Sequence, residues 1–217
     1  GRLRWAHSAR TIVTAMGLAV AGALVVISPW TLRNYSVFGR PVLISSNSGW
    51  NLYAGNNPEA TGSSYARSGV PMQRTVPRHT VAELAGLNDV EKDAFFRAKA
   101  LQWIKNNPDR FVSLIPRKLV ALWWFDPHTP TSFAGFRELV YVVLMLVALT
   151  GMVLTRKRWR DTSVFFALYL TVSGVYSVFY GSPRFRYALE FSFLLFAAAA
   201  IALAPVDRLR RSRNEAQ

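Results

Sequence analysis

Cysteine is absent from the 217-residue sequence, and histidine occurs only three times. The lack of cysteine excludes disulfide bonds, thiolate metal ligands and cysteine nucleophiles. His7, His79 and His128 stand far apart, and none has a second histidine at metal-ligand spacing. The sequence also contains no P-loop, serine-hydrolase or zinc-protease motif. It therefore predicts no metal site and no identifiable cofactor.

Acidic residues are scarce, with 12 Asp and Glu against 26 Lys and Arg, which gives a net charge of +14. Such an excess is typical of proteins that bind nucleic acid or an anionic surface. However, 51% of the residues are hydrophobic and the mean hydropathy is positive, at +0.16. This apolar content excludes intrinsic disorder. Because the apolar residues lie in long runs, nucleic-acid binding is disfavoured.

Four segments contain no charged residue, namely 11–32, 139–155, 162–183 and 191–206. A bilayer core of about 30 Å requires roughly 20 apolar residues in a helix. With small extensions at their ends, these segments predict an all-α integral membrane protein. The four expected transmembrane helices cover 11–30, 136–155, 162–181 and 187–206.

The basic residues are concentrated on one side of this arrangement. Segments 1–10, 156–161 and 207–217 together hold 11 basic and 3 acidic residues, a net charge of +8 in under 30 residues. The rest of the chain, most of it in the long segment 31–135 and the short turn 182–186, holds 15 basic and 9 acidic residues, a net charge of +6. Short basic loops lie on the cytoplasmic side of membranes. We therefore expect both termini in the cytoplasm and 31–135 outside.

The first residue is Gly1 and not Met, which suggests a piece of a longer protein.

The outer segment changes character along its length. Residues 31–79 are rich in Asn, Ser, Gly and Pro, so 47–51 and 55–58 are interpreted as turns, and 41–44 as a short extended piece. Helices are predicted near 81–86, 89–106 and 108–125. Their start signals are a capping box at Thr80–Glu83, a second N-cap at Asn88 with Glu91 three residues later, and Pro108 at a first helical position. Asp89, Glu91 and Asp93 cluster at the start of the second helix, where the helix dipole accounts for them.

Segment 108–125 allows three interpretations. It is apolar apart from a few residues and ends in Trp123 and Trp124. A fifth membrane span is disfavoured by Arg117 and Lys118 in its middle. An amphipathic helix in the outer membrane interface is favoured, because tryptophan is enriched at headgroup depth. The remaining interpretation is a core helix of an outer soluble domain.

Two polar groups stand at predicted membrane boundaries. Arg184, Arg186 and Glu190 lie where the fourth helix begins, and Arg186 and Glu190 are spaced to pair. These arginines either bind a phosphate or extend toward lipid headgroups. Arg33 and Asn34 emerge at the end of the first helix, and Gly55–Pro58 follows. The latter group is either a phosphate- or sugar-binding turn or an ordinary helix exit.

Segments 29–35, 39–62 and 184–190 resemble bacterial membrane glycosyltransferases of family 39. These enzymes are related to the dolichyl-phosphate-mannose–protein mannosyltransferases and to aminoarabinose transferases. The resemblance extends over the whole chain in order, but only over the C-terminal half of such an enzyme. It implies a GT-C fold in the bacterial plasma membrane, and a partner in the form of the remaining N-terminal transmembrane part.

The resemblance also implies which residues contact the donor, a sugar linked to polyprenyl phosphate. Arg184, Arg186 and Tyr187, with Glu190 beside them, match a segment that faces this donor in the family. Likewise Arg33, Asn56 and Asn57 match an outer-loop motif near the donor cavity. The family's catalytic acidic residue lies in an earlier outer loop, and no residue here matches it. The expected function is thus donor binding within a glycosyltransferase, and the fragment alone is expected to be inactive.

Two other functions are weighed against this one. The first is a non-enzymatic membrane subunit or a scaffold that binds lipid phosphates. The second is a fragment of a transporter, which would place ionisable residues in the middle of its helices. No such residue occurs in the four apolar runs. The expected partners are membrane lipid and the polyprenyl-phosphate sugar, without nucleic acid.

Overall fold

A computed structural model describes residues 9–126 and 134–203. These residues form helices, and the two β-bridges present among them are isolated. His7, His128, the basic segment before Ala9 and the tail 207–217 lie outside the described residues. The helices are α1 (Ala9–Phe38), α2 (Ser48–Gly55), α3 (Arg78–Leu84), α4 (Asp89–Asn106), α5 (Pro108–Trp123), α6 (Ala134–Thr155), α7 (Trp159–Val178) and α8 (Tyr187–Leu203), with short 3-10 turns at Met72–Thr75, Arg156–Arg158 and Pro183–Phe185.

Two helical segments of the described chain are long and apolar enough to cross a membrane. One is Val13–Phe38, within α1. The other is Gly135–Val178, which contains α6, the turn Arg156–Arg158 and α7. The apolar helix α8 is shorter, at 17 residues. The all-helical fold is therefore confirmed, and two membrane-spanning segments are supported by length and composition.

Helices α6 and α8 pack closely along each other. Gly151 of α6 makes this possible, because a β-carbon at this position would overlap the backbone carbonyl of Phe196 in α8. Tyr141, Ala148, Phe193 and Phe196 form the buried cluster between the two helices. The hydroxyls of Tyr169 in α7 and Ser192 in α8 share a hydrogen bond. Helices α6, α7 and α8 thus form one packed unit.

Helix α2 corrects the interpretation of 47–51 as a plain turn, whereas in 55–58 only Gly55 belongs to the helix and the turn follows it. Eight residues from Ser48 to Gly55 are helical, and their first N–H groups are bound by a side chain of another helix. The buried Asp93 carboxylate of α4 accepts hydrogen bonds from the backbone N–H groups of Gly49 and Trp50. It also accepts one from Arg97 at 2.7 Å. Asp93 is therefore not explained by the dipole of its own helix, since it caps α2 instead.

The predicted helix starts are confirmed in one case and wrong in another. Asn88 and Glu91 form the reciprocal capping box of α4, with N···O distances of 2.9 and 3.0 Å. By contrast, α3 begins at Arg78 after Pro77 and has no side-chain cap. Thr80 is therefore inside the helix, where it is buried. Proline at the N-cap presets the backbone for the helix, so α3 starts earlier than the Thr80 motif predicts.

Helix α5 is anchored to the rest of the protein by a buried lysine. The Lys118 side chain is fully buried, and its Nζ donates to Asn56 Oδ1 at 2.8 Å and to the Val178 carbonyl at 3.0 Å. Trp123 packs against Tyr169 and donates to Ser173 Oγ, whereas Trp124 is 42% exposed. Trp123 is therefore packed against α7, and the headgroup depth of the two tryptophans stays a prediction.

Three glycines allow the loop 55–62, α5 and the end of α7 to meet at one junction. β-carbons at Gly55 and Gly181 would overlap the backbone carbonyls of Phe179 and Lys118, respectively. Gly62 has a φ of 102°, a conformation that favours glycine, and its carbonyl accepts from the Gly181 N–H at 2.9 Å. We call this contact the glycine junction. It attaches the segment between α1 and α5 to the end of α7.

The segment 41–44 lies against the end of α1 without forming a strand. Side chains of α1 replace strand partners, because they donate to three successive carbonyls of this segment. Asn34 Nδ2 donates to Val42, Thr31 Oγ1 to Leu43 and the Trp30 indole to Ile44. The expected extended piece is thus held by side chains.

Lys118 makes the stability of the protein depend on pH. Burial lowers the pKa of Lys118 from 10.5 to about 8. Between these values the unfolded chain holds a proton that the folded chain has released, so folding becomes more favourable as pH rises. The free energy of unfolding in detergent should increase by up to about 3 kcal/mol from pH 7.5 to 10.5. In a Lys118→Met variant the free energy of unfolding should depend less on pH. An equal dependence on pH in both proteins would contradict the lowered pKa of Lys118.

Candidate functional site

Arg186 lies at the start of α8 and is almost completely buried, with 4% of its surface exposed. Its Nε donates to Glu190 Oε1 at 3.0 Å, which confirms the pairing expected from their spacing. Its Nη1 donates to the carbonyls of Leu122 and Trp124 at the end of α5. The guanidinium also lies 3.8 Å from the ring centroid of Tyr141. Arg186 therefore joins α5, α6 and α8.

A cavity of about 360 Å³ opens beside Arg186, and we call it the α6–α8 cavity. One part of its wall is polar and carries two arginines and three carboxyl groups. The other part is apolar and belongs mainly to the exposed side of α6. Such a wall suits a ligand with an ionic head and a hydrocarbon chain. The polar residues are Asp126, Arg137, Glu138, Arg186 and Glu190, and the apolar ones include Phe136, Val140 and Leu144.

Three of the predicted site residues meet in this cavity, and one beside them does not. Arg186, Tyr187 and Glu190 line the α6–α8 cavity. Arg184 is exposed and turned to other partners, since its Nη2 donates to Tyr180 Oη at 2.8 Å and its guanidinium stacks over Phe185. Of the two arginines in segment 184–190, Arg186 therefore lines the α6–α8 cavity and Arg184 lies beside Tyr180 and Phe185.

Asn56 and Asn57 are buried and bind other parts of the protein. Asn56 Nδ2 donates to the carbonyls of Leu52 and Val178, and its Oδ1 accepts from Lys118. Asn57 Nδ2 donates to the Tyr53 carbonyl at 2.8 Å, and its Oδ1 accepts from the Glu59 N–H at 2.7 Å. Neither lines the α6–α8 cavity. Their hydrogen bonds stabilise the glycine junction and the end of α2.

Arg33 lines a second cavity, of about 430 Å³, at the C-terminal end of α1. We call it the α1–α4 cavity, because α2 and α4 form its other walls. Arg33 is exposed, lies over the Trp30 ring at 5.1 Å and donates to Asn34 Oδ1 at 3.3 Å. The two cavities share no lining residue. The structure therefore separates Arg33 from Arg186.

Arg137 and Glu138 are site residues that the sequence interpretation missed. Both line the α6–α8 cavity from the first turn of α6. A signal was available, because the pair directly precedes the uncharged run 139–155, as Arg186 and Glu190 precede the run 191–206. The same boundary criterion that selected Arg184 and Arg186 would have selected Arg137.

No metal site is found in the described part of the chain, because no group of three or more potential ligands from His, Asp and Glu comes together there. Searches against protein-family models, curated proteins and solved structures found no match to this chain.

Proposed function

We propose that the chain is the donor-binding part of a membrane glycosyltransferase that uses a polyprenyl-phosphate-linked sugar. The observation that carries the proposal is the α6–α8 cavity, where arginines and an apolar helix face border the same space. A polyprenyl phosphate has the same two parts, a dianionic or monoanionic head and a hydrocarbon tail. Arginine suits the head, because its planar donors match phosphate oxygens.

Within this cavity, Arg137 and Arg186 are the proposed phosphate ligands. Arg186 uses Nε and Nη1 for protein partners, and its Nη2 has no hydrogen-bond acceptor among the described residues. Arg137 forms no ion pair within the described residues. As the sugar is transferred, negative charge grows on the departing phosphate, and fixed cations stabilise it. Arg184 is not assigned this role, since it binds Tyr180.

The membrane arrangement that we propose has four spans, formed by α1, α6, α7 and α8. In support, α6 and α7 each have the length of a span and are joined by the basic turn Arg156–Arg158. Basic turns of this kind are typical of the cytoplasmic side. In this arrangement the α6–α8 cavity lies at the outer ends of α6 and α8, on the side opposite to the turn Arg156–Arg158. This placement supports donor binding on the outer face of a bacterial plasma membrane.

A scaffold that binds lipid phosphates without catalysis is the second candidate. It is favoured by the lack of a matching catalytic acid in this chain. Both candidates bind a lipid phosphate, but only the glycosyltransferase transfers a sugar from it.

Replacing Arg137 by glutamine should lower sugar transfer at least tenfold in the complete protein, because one charge-assisted contact to the phosphate is lost. Glu138→Gln should instead increase the apparent affinity for the donor, since it removes a neighbouring negative charge. Turnover is measured with polyprenyl-phosphate-linked mannose and aminoarabinose, the donors of the two related enzyme groups.

Arg156→Gln is the matched control, because Arg156 is exposed at the opposite end of α6. It should transfer sugar at the unaltered rate. Donor binding without any turnover would favour the scaffold. Full activity of the Arg137→Gln protein would exclude Arg137 from the phosphate site.

A further inference from the structure

The α1–α4 cavity has the composition of a binding site and is not used by the proposed donor site. It lies between the C-terminal end of α1, residues 42–47 and the first turns of α2 and α4. Its volume of about 430 Å³ lies within the range of small-molecule binding sites. The residues of its wall fall into an aromatic group, a neutral polar group and a charged group.

The aromatic group is held in fixed positions. Trp50 and Phe96 contact each other edge to face, with ring centroids 4.8 Å apart. Trp30 is fixed by its indole N–H, which donates to the Ile44 carbonyl at 2.6 Å. Phe38 completes this part of the wall. Rigid aromatic rings bind flat apolar faces at low entropic cost, and the C–H face of a pyranose ring is such a surface.

The neutral polar group consists of three consecutive residues, Ser45, Ser46 and Asn47. All three line the cavity, and their side chains form no hydrogen bond with the described residues. Together they offer two hydroxyls and one amide, each of which both donates and accepts. A ligand with several hydroxyl groups matches this set, because each of its hydroxyls likewise donates and accepts.

The charged group leaves one cation without a partner of opposite charge. Lys92 pairs with Asp89 at 3.9 Å, and Asp93 pairs with Arg97 at 2.7 Å. Arg33 has no carboxylate partner among the described residues, and the one hydrogen bond that its guanidinium forms there goes to the amide oxygen of Asn34. A phosphate or carboxylate on the ligand would supply the missing negative charge.

We propose that the α1–α4 cavity binds an anionic saccharide, with its ring against the tryptophans and its anionic group on Arg33. The ligand is either a soluble sugar phosphate or the sugar headgroup of a lipid, since both present the same chemistry. The inference does not depend on the α6–α8 cavity, which shares no residue with it. A failure to find donor binding in the α6–α8 cavity would therefore leave the saccharide proposal for the α1–α4 cavity unchanged.

The test is a calorimetric titration of the complete protein in phosphatidylcholine nanodiscs with glucose 1-phosphate. Glucose and inorganic phosphate are titrated for comparison. Glucose 1-phosphate should bind at least tenfold more tightly than either, because only this probe contacts both the aromatic wall and Arg33. Equal affinity for inorganic phosphate would overturn the saccharide assignment, and equal affinity for glucose would overturn the role of Arg33.

Arg33→Gln should weaken glucose 1-phosphate binding about tenfold and leave glucose binding unchanged. Arg40→Gln is the matched control, because Arg40 is exposed nearby and does not line the cavity. If both variants lost the same amount of affinity for glucose 1-phosphate, the effect would come from surface charge alone, and the proposal would be overturned. A repeat with phosphatidylglucoside in the nanodisc separates the sources: competition by this glycolipid supports a lipid headgroup, and unchanged binding supports a soluble sugar phosphate. Complete competition by the sugar-free lipid phosphatidylglycerol would overturn the proposal.

Discussion

Replacing Arg186 by methionine is expected to lower the free energy of unfolding by about 3 to 5 kcal/mol. The cost is large because the substitution leaves several buried groups without partners. Glu190 in α8 would lose its partner of opposite charge, and the carbonyls of Leu122 and Trp124 would lose their donor. The stacking of the guanidinium on Tyr141 would also be lost. Urea or dodecyl sulfate unfolding in mild detergent measures the effect.

Arg184→Met is the matched control for this prediction. The two arginines are separated by one residue, but Arg184 is exposed and bonds only to the Tyr180 hydroxyl. Its substitution should cost about 1 kcal/mol or less. Equal destabilisation by both substitutions would mean that Arg186 does not join α5, α6 and α8. Because Arg186 stabilises the fold, only Arg137 variants test phosphate binding without this complication.

Replacing Gly181 by alanine is expected to destabilise the protein by about 3 kcal/mol, although it adds a single methyl group. The new β-carbon would overlap the carbonyl oxygen of Lys118 and approach Leu122. Both are backbone atoms of α5, so no side-chain rotation relieves the overlap. The Gly181 N–H would also lose its bond to the Gly62 carbonyl. Opening of the junction should expose the 55–62 loop to protease.

Gly174→Ala serves as the control, because Gly174 lies within α7 and has no atom near its missing side chain. Alanine favours a helix over glycine by up to about 1 kcal/mol, so this variant should be as stable as the original protein or slightly more so. If Gly181→Ala is as stable and as protease-resistant as Gly174→Ala, the close approach at the glycine junction is wrong.

Elements defined by local patterns were predictable from the sequence. The uncharged runs became the apolar helices, and the Asn88 capping box and Pro108 marked the starts of α4 and α5. These signals act within a few residues of the chain, so one sequence contains them fully. The salt bridge between Arg186 and Glu190 is of the same kind, since it joins residues one helical turn apart.

Features that depend on distant partners were not predictable. Helix α2 is short, and its N-terminus is capped by Asp93, which lies more than 40 residues later in the chain. Lys118 stands next to Arg117 in the sequence, and no local pattern indicates that Asn56 and the Val178 carbonyl bind it in the interior. The resemblance implied that Asn56 binds the donor, whereas its amide is occupied by Lys118 and by the carbonyls of Leu52 and Val178.

Binding of polyprenyl phosphate is the most direct test of the proposed function. The complete protein in phosphatidylcholine nanodiscs is loaded with polyprenyl phosphate or with the corresponding polyprenol, and the retained lipid is counted by native mass spectrometry. We expect retention of the phosphate, at least tenfold weaker retention of the alcohol, and a phosphate retention no better than that of the alcohol in the Arg137→Gln protein. Equal retention of phosphate and alcohol by the unaltered protein would contradict a phosphate site in the α6–α8 cavity.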